Sequence, residues 1–187
     1  MGYVIALVVA AAVAVLWLFY RLGREVVSEI EVLNPESDKG TALVVYHPGL
    51  TDFHEKVTHA FAEGLVSSGW RVEMTTASSQ APTDLSGYDL LVVGGPTYGP
   101  SQPIARYVKR LGDLGGKRTA ILITGLGATD GAIANVQSLV RGANGDVVKA
   151  MALWQSRPNN EDDPRPNREV ALDMATQAGK EIPLPGE

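Results

Sequence analysis

The chain has 187 residues, with 16 Lys plus Arg against 21 Asp plus Glu, a formal charge of −5 and no cysteine. The missing thiols exclude a disulfide framework, a cysteine nucleophile and thiolate-held zinc or iron–sulfur centres, so any redox work needs a bound cofactor. An acidic balance without a basic stripe argues against nucleic acid as a partner.

No charge precedes Arg21, and of the first 20 residues only Gly2 falls outside the hydrophobic set. Setting that segment aside lowers the hydrophobic share of the remainder to roughly 39%, so the chain is read as two unlike parts. As a helix rising about 1.5 Å per residue, Tyr3 to Tyr20 would cover most of a hydrocarbon core about 30 Å thick. Tyr3 stands near one end and Trp17 and Tyr20 near the other, where interfacial aromatics are expected. No Lys or Arg comes before the apolar run, and its small residues Ala10 to Ala12 lie in its middle. It therefore reads as an uncleaved transmembrane anchor over 1–24 and not as a signal peptide. Arg21 and Arg24 follow at once, which predicts a single-pass protein of the cell membrane with its domain on the cytoplasmic side. Residues 25–40, acidic and ending in Asn-Pro and Asp-Lys-Gly, predict a helical stub and a linker.

From Thr41 the chain alternates. TALVVY over 41–46 predicts a strand buried on both faces. After HPGLT, Asp52 and Glu55 have the spacing of a capping box, and Phe53, Val57, Ala60, Phe61, Gly64 and Leu65 recur at helical intervals up to Gly69. WRVEMTT from Trp70 is the next strand, and YDLLVVGG over 88–95, the most hydrophobic strand, belongs at the centre. A helix with Pro103 in its first turn follows, closed by Gly112. RTAILIT, a helix bearing Ile133, Val136, Leu139 and Val140, DVVKAMALW ending at Trp154, and a last helix over 167–180 complete the chain. Strict alternation implies right-handed crossovers. The expected domain, 41–182, is a three-layer α/β fold whose five-stranded parallel sheet has helices on both faces.

Ligands of such a sheet lie beyond the carboxyl ends of the strands, where strand order reverses. Those ends carry His47 to Thr51, Pro96-Thr97-Tyr98-Gly99, Thr124-Gly125-Leu126-Gly127 and Gln155 to Asn159. No carboxylates stand where a phospho-acceptor site would need them, and no GxxxxGK[ST], GxGxxG or GxSxG motif opens a helix there. The three histidines, His47, His54 and His59, lack an HExxH pattern or a distant fourth ligand and read as loop and helix polar residues. No metal site and no catalytic side chain is assigned. What remains is a Gly and Thr loop able to bind one phosphate at a helix start, and a Pro-Thr-Tyr-Gly loop able to offer an aromatic face to a planar ring.

The run DLLVVGGPTYG resembles the third strand and ring-contacting loop of the flavodoxin family, and LVVYHPGLTDFHEKVTHAFAEGL resembles its first strand, phosphate loop and first helix. The resemblance covers about residues 41 to 155 and implies the sheet order 2-1-3-4-5 and an FMN cofactor. It implies that His47, Gly49, Leu50 and Thr51 surround the FMN phosphate. Pro96, Thr97, Tyr98 and Gly99 would flank the isoalloxazine, Tyr98 stacking on it, while Thr124, Gly125, Leu126 and Gly127 approach its other side or the ribityl chain. Two departures stand out: Pro48 removes an amide donor from the phosphate loop, and the link ASSQAPTDLSG brings no second aromatic. The expected function is a membrane-tethered, FMN-binding electron-transfer protein, its partner a redox protein or a quinone at the membrane. The alternatives are an NAD(P)H-dependent FMN quinone oxidoreductase and a flavodoxin-fold interaction module without flavin.

Overall fold

The computed structural model describes residues 2–23, 25–97, 103–127 and 129–187, the side chains of residues 18, 19 and 21–23 excepted. Its helices are α1 (Gly2–Gly23), α2 (Phe53–Ser67), α3 (Pro103–Leu111), α4 (Asp130–Gly142) and α5 (Asn167–Lys180). Its strands are β1 (Glu31–Leu33), β2 (Thr41–Tyr46), β3 (Arg71–Thr76), β4 (Leu90–Pro96), β5 (Arg118–Gly125) and β6 (Asp146–Trp154). They form one sheet in the order β1-β3-β2-β4-β5-β6. The five strands from β2 onward are parallel and lie in the expected 2-1-3-4-5 arrangement.

The continuous apolar runs of β2 and β4 follow from their position inside the sheet, covered on both faces. Ala42, Val44, Leu90 and Val92 pack with Phe61 and Leu65 of α2 and Ala171 and Ala175 of α5. Leu43, Val45, Leu91 and Val93 pack on the opposite side with Ile104 and Tyr107 of α3 and Val136 and Val140 of α4.

One expectation is corrected and a second is not shown. The sheet has six strands, because the segment read as a helical stub and linker is extended and supplies β1, antiparallel to β3 with Glu31 opposite Met74 and Leu33 opposite Val72. A three-residue strand is too short to show a period, and its chance to pair depends on the open edge of β3. The transmembrane helix is the one not shown. Among the described residues no helix is long and apolar enough to cross a membrane. Tyr3 to Trp17 and Tyr20 of α1 are exposed.

Candidate functional site

Every parallel strand delivers its following loop in register at one edge of the sheet. The ladder continues one residue past the strand ends: His47 N–H donates to the Gly94 carbonyl (2.9 Å), Ala77 N–H to Tyr46 (2.8 Å), Thr97 N–H to Thr124 (2.8 Å) and Gln155 N–H to Gly125 (2.8 Å). The loops expected to form the site therefore begin side by side.

The loop after β2 turns on itself. Gly49 has φ +84°, the left-handed region that favours glycine, and donates its N–H to Nδ1 of His47 at 2.9 Å. Nδ1 is thus an acceptor and the ring proton sits on Nε2. That Nε2 is buried and has no hydrogen-bond partner among the described residues, in a residue only 7% exposed. Burial lowers the His47 pKa, with the nearby Arg106 charge acting the same way, so the ring stays neutral. An unpaired buried donor is costly in a native protein and marks a place where a ligand's acceptor belongs.

The head of α2 adds more donors. Asp52 occupies the cap position but makes no side-chain cap bond, so the capping box read with Glu55 does not form. Its carboxylate is drawn instead to Lys56 (3.0 Å) and to Arg168 of α5 (2.7 Å), which hold its pKa down, Lys56 foremost. Asp52 therefore caps none of the first amides of α2, the N–H groups that a helix start leaves without an intrahelical partner. The neighbouring carboxylate is neutralised by two cations. Together with the His47 Nε2–H, these groups fit a phosphate monoester.

Below this loop lies a buried hub that the sequence reading left as an ordinary helix residue. His54 is 1% exposed, its Nδ1 3.0 Å from Thr124 Oγ1 and its Nε2 3.2 Å from Thr58 Oγ1. Thr58 gives its own proton to the His54 carbonyl (2.9 Å), so it accepts from Nε2–H, and Nδ1 accepts from Thr124. Gly94 makes room for the ring: a Cβ there would stand 3.1 Å from it. Burial, then the neighbouring His47, pulls the His54 pKa down to about 3, against the Gly94 carbonyl, which favours the charged form. The hub ties α2 to the ends of β4 and β5. A His followed by Thr four residues on was its only trace in the sequence.

The remaining expected residues divide. Thr124 turns its hydroxyl into the hub and is buried. Thr51 and Leu50 are exposed at the loop tip, with the Thr51 hydroxyl donating to Gln155 Oε1 at 3.3 Å, so the loops after β2 and β6 are bridged. Pro96 and Thr97 are partly buried, and Gly125 admits Thr97, whose Oγ1 lies 2.5 Å from where a Cβ would be. Leu126 is 60% exposed, and Gly127 sits against Arg157, whose guanidinium lies 5.0 Å from the centre of the Trp154 ring. Tyr98 and Gly99 lie outside the described residues. Arg168 and His54 are additions that only the packing shows, as is the contact of Gln155 with Thr51. Among the described residues, no group of three or more His, Asp or Glu could hold a metal ion.

No family model and no curated protein matches the sequence. Solved structures do. An oxidised flavodoxin 2 from Bacillus cereus superposes with a TM-score of 0.57 at 16% identity over 76% of this chain and 99% of its own. A short-chain flavodoxin associated with a non-canonical PDU bacterial microcompartment gives 0.53 at 23% identity over 74% and 98%. An NAD(P)H:quinone oxidoreductase from Methanothermobacter marburgensis gives 0.50 at 16% identity over 76% and 98%. At these identities the likeness is one of fold, and the fold is flavodoxin-like.

Proposed function

We propose that this chain is a flavodoxin-like protein that binds FMN at the carboxyl edge of its sheet, transfers electrons, and is held at the cell membrane by α1 with its domain on the cytoplasmic side. The observation that carries the cofactor reading is the buried Nε2–H of His47, without a partner among the described residues, in the loop that leads to the start of α2, where Asp52 makes no cap bond. The flavin-binding folds among the structural neighbours support it. When bound, the flavin supplies the electron chemistry.

The chain's own residues bind and orient. His47 and the first amides of α2 hold the phosphate, with Pro48 and the His47–Gly49 turn limiting the donors to that set. Asp52 is kept from repelling it by Lys56 and Arg168. The His54–Thr58–Thr124 hub fixes the distance between the loop after β2 and the loops after β4 and β5, whose Thr97, Gly125 and Leu126, with Tyr98 and Gly99 as the sequence implies, would line the ring. The membrane reading rests on the apolar, exposed face of α1 and on Arg21 and Arg24 after it. A second reading, an FMN-dependent quinone oxidoreductase using NAD(P)H, is favoured by the quinone oxidoreductase among the neighbours.

Titration of the full chain with FMN and with riboflavin, followed by visible absorption, tests the site. FMN is expected to bind far more tightly than riboflavin. His47→Ala should weaken FMN by about tenfold, the worth of one hydrogen bond to a charged group, and leave riboflavin unchanged. Equal affinity for both flavins would remove the phosphate assignment, and binding of neither would leave an interaction module. Steady NAD(P)H oxidation with added quinone would separate the enzyme from the carrier.

A further inference from the structure

The segment between the apolar helix and the domain is not slack. Only one residue separates Gly23 at the end of α1 from Glu25, which limits the gap between their Cα atoms to about 7.5 Å. Glu25 accepts the Ser79 N–H through its carboxylate. Val26 accepts the Thr76 hydroxyl at 2.6 Å. Ser28 and Thr76 exchange two bonds, Ser28 N–H to Thr76 Oγ1 and Thr76 N–H to Ser28 Oγ, both at 3.0 Å. β1 then runs antiparallel along β3. Because β1 is antiparallel, the chain that enters it comes from the carboxyl end of β3, beside Thr76 and Ala77. That end belongs to the same edge of the sheet as His47, Gly94, Thr97 and Gly125.

A second observation points the same way. Outside α1, the exposed large apolar side chains among the described residues are Val27, Ile30, Val32, Leu50, Leu126 and Met174. Val27 lies on the clamp, and Leu50 and Leu126 are at the tips of the loops after β2 and β5. Scattered exposed hydrophobics need no explanation, but apolar tips on one edge, on the side from which an apolar helix leaves, form a surface suited to lipid.

We infer that the clamp formed by Glu25, Val26 and Ser28 on β3 turns the carboxyl edge of the sheet, with its cofactor loops, toward the bilayer, and that Val27, Leu50 and Leu126 rest on the lipid surface. The inference rests on the membrane reading of α1. An edge held against lipid is open to a lipid-dissolved redox molecule of the quinone class and closed to a large soluble protein.

The absence of cysteine allows the test, because one introduced thiol is a unique labelling site. Full-length Val27→Cys, Leu50→Cys and Leu126→Cys carry an environment-sensitive fluorophore, as do Ser86→Cys and Asp113→Cys at the opposite edge. Each is mixed with phosphatidylcholine–phosphatidylglycerol vesicles, floated on a density gradient, and challenged with a doxyl-lipid quencher and with iodide. Labels at the cofactor edge should be quenched severalfold more by the doxyl lipid than those at 86 and 113, and severalfold less by iodide. Thr76→Val, which removes both clamp bonds of that hydroxyl, should narrow the difference. Flotation with all five labels equally open to iodide would overturn the orientation and leave the anchor standing. Failure to float would overturn the membrane reading and the orientation with it.

Discussion

The two helical layers that flank the sheet are held in different ways. α2 and α5 cross through glycines: a Cβ on Gly64 would stand 2.1 Å from the Thr176 carbonyl oxygen, and one on Gly179 would stand 2.2 Å from that of Phe61. Backbone meets backbone there, and the same contact brings Arg168 to Asp52 at the start of α2. On the other face, α4 buries only Val136 and Val140, and its Gly131 and Gly142 face open space. The layer of α2 and α5 is locked by main-chain contact, whereas the layer of α3 and α4 is held by side chains, few of them from α4. In the proposed reading, rigidity lies where a small anion would meet fixed donors, and replaceable packing lies beneath the loops that would meet a larger, planar group.

The largest expected effect breaks the locked layer. Gly64→Ala or Gly179→Ala forces the helices apart and should cost on the order of 3 kcal/mol or more, as overpacking of a rigid contact does. A urea unfolding series reads this directly, and a loss close to zero would show that the crossing is not tight. The next effect concerns the hub in the same layer. His54 titrates near 6.5 when unfolded and at about 3 in the fold. The unfolded chain therefore binds the extra proton between those values, and stability must fall as pH drops below about 6.5. The slope is about 1.4 kcal/mol per pH unit for one such proton. His54→Gln should flatten its share of that slope, visible in midpoints measured from pH 7 to pH 4, while the depressed His47 adds a smaller contribution of the same sign.

A smaller effect probes the side-chain-held layer. Val140→Ala removes a fully buried side chain and should cost about 1.5 kcal/mol. Its consequence for FMN affinity should be slight, since no phosphate donor sits on α4. The smallest concerns Asp52, an exposed ion-pair partner. Asp52→Asn should leave the melting temperature unchanged, because exposed pairs contribute little. It should tighten FMN binding severalfold by removing a negative charge beside the phosphate. Weaker binding would mean that Lys56 and Arg168 need the carboxylate to keep their places.

Much of the scaffold is legible along the chain. β2, β6 and α5 begin and end where the apolar runs and helical intervals predict, and Pro103 opens α3 as its fixed φ suits. The edge that carries the candidate site follows from that order alone. The details of the site were not legible in the same way. His54 reads as a polar helix residue until Gly94 and Thr124, from two other strands, are seen to enclose it. Asp52 reads as a cap until Arg168 arrives from the far end of the chain to claim it.

The sequence by itself determined the alternation of strands and helices and hence the carboxyl edge where a ligand would lie, because hydrophobic periodicity and turn chemistry act between near neighbours; the order 2-1-3-4-5 was implied only by the flavodoxin resemblance. Tertiary structure alone decided that residues 25–33 clamp the open edge of β3, that the buried Nε2 proton of His47 has no partner among the described residues, and that α2 meets α5 through bare backbone. Each of these depends on what a distant segment brings into contact: an unpaired strand edge, a carbonyl at the right height, a glycine facing a glycine. No local pattern encodes such pairings, since their free energy exists only once the chain has closed on itself.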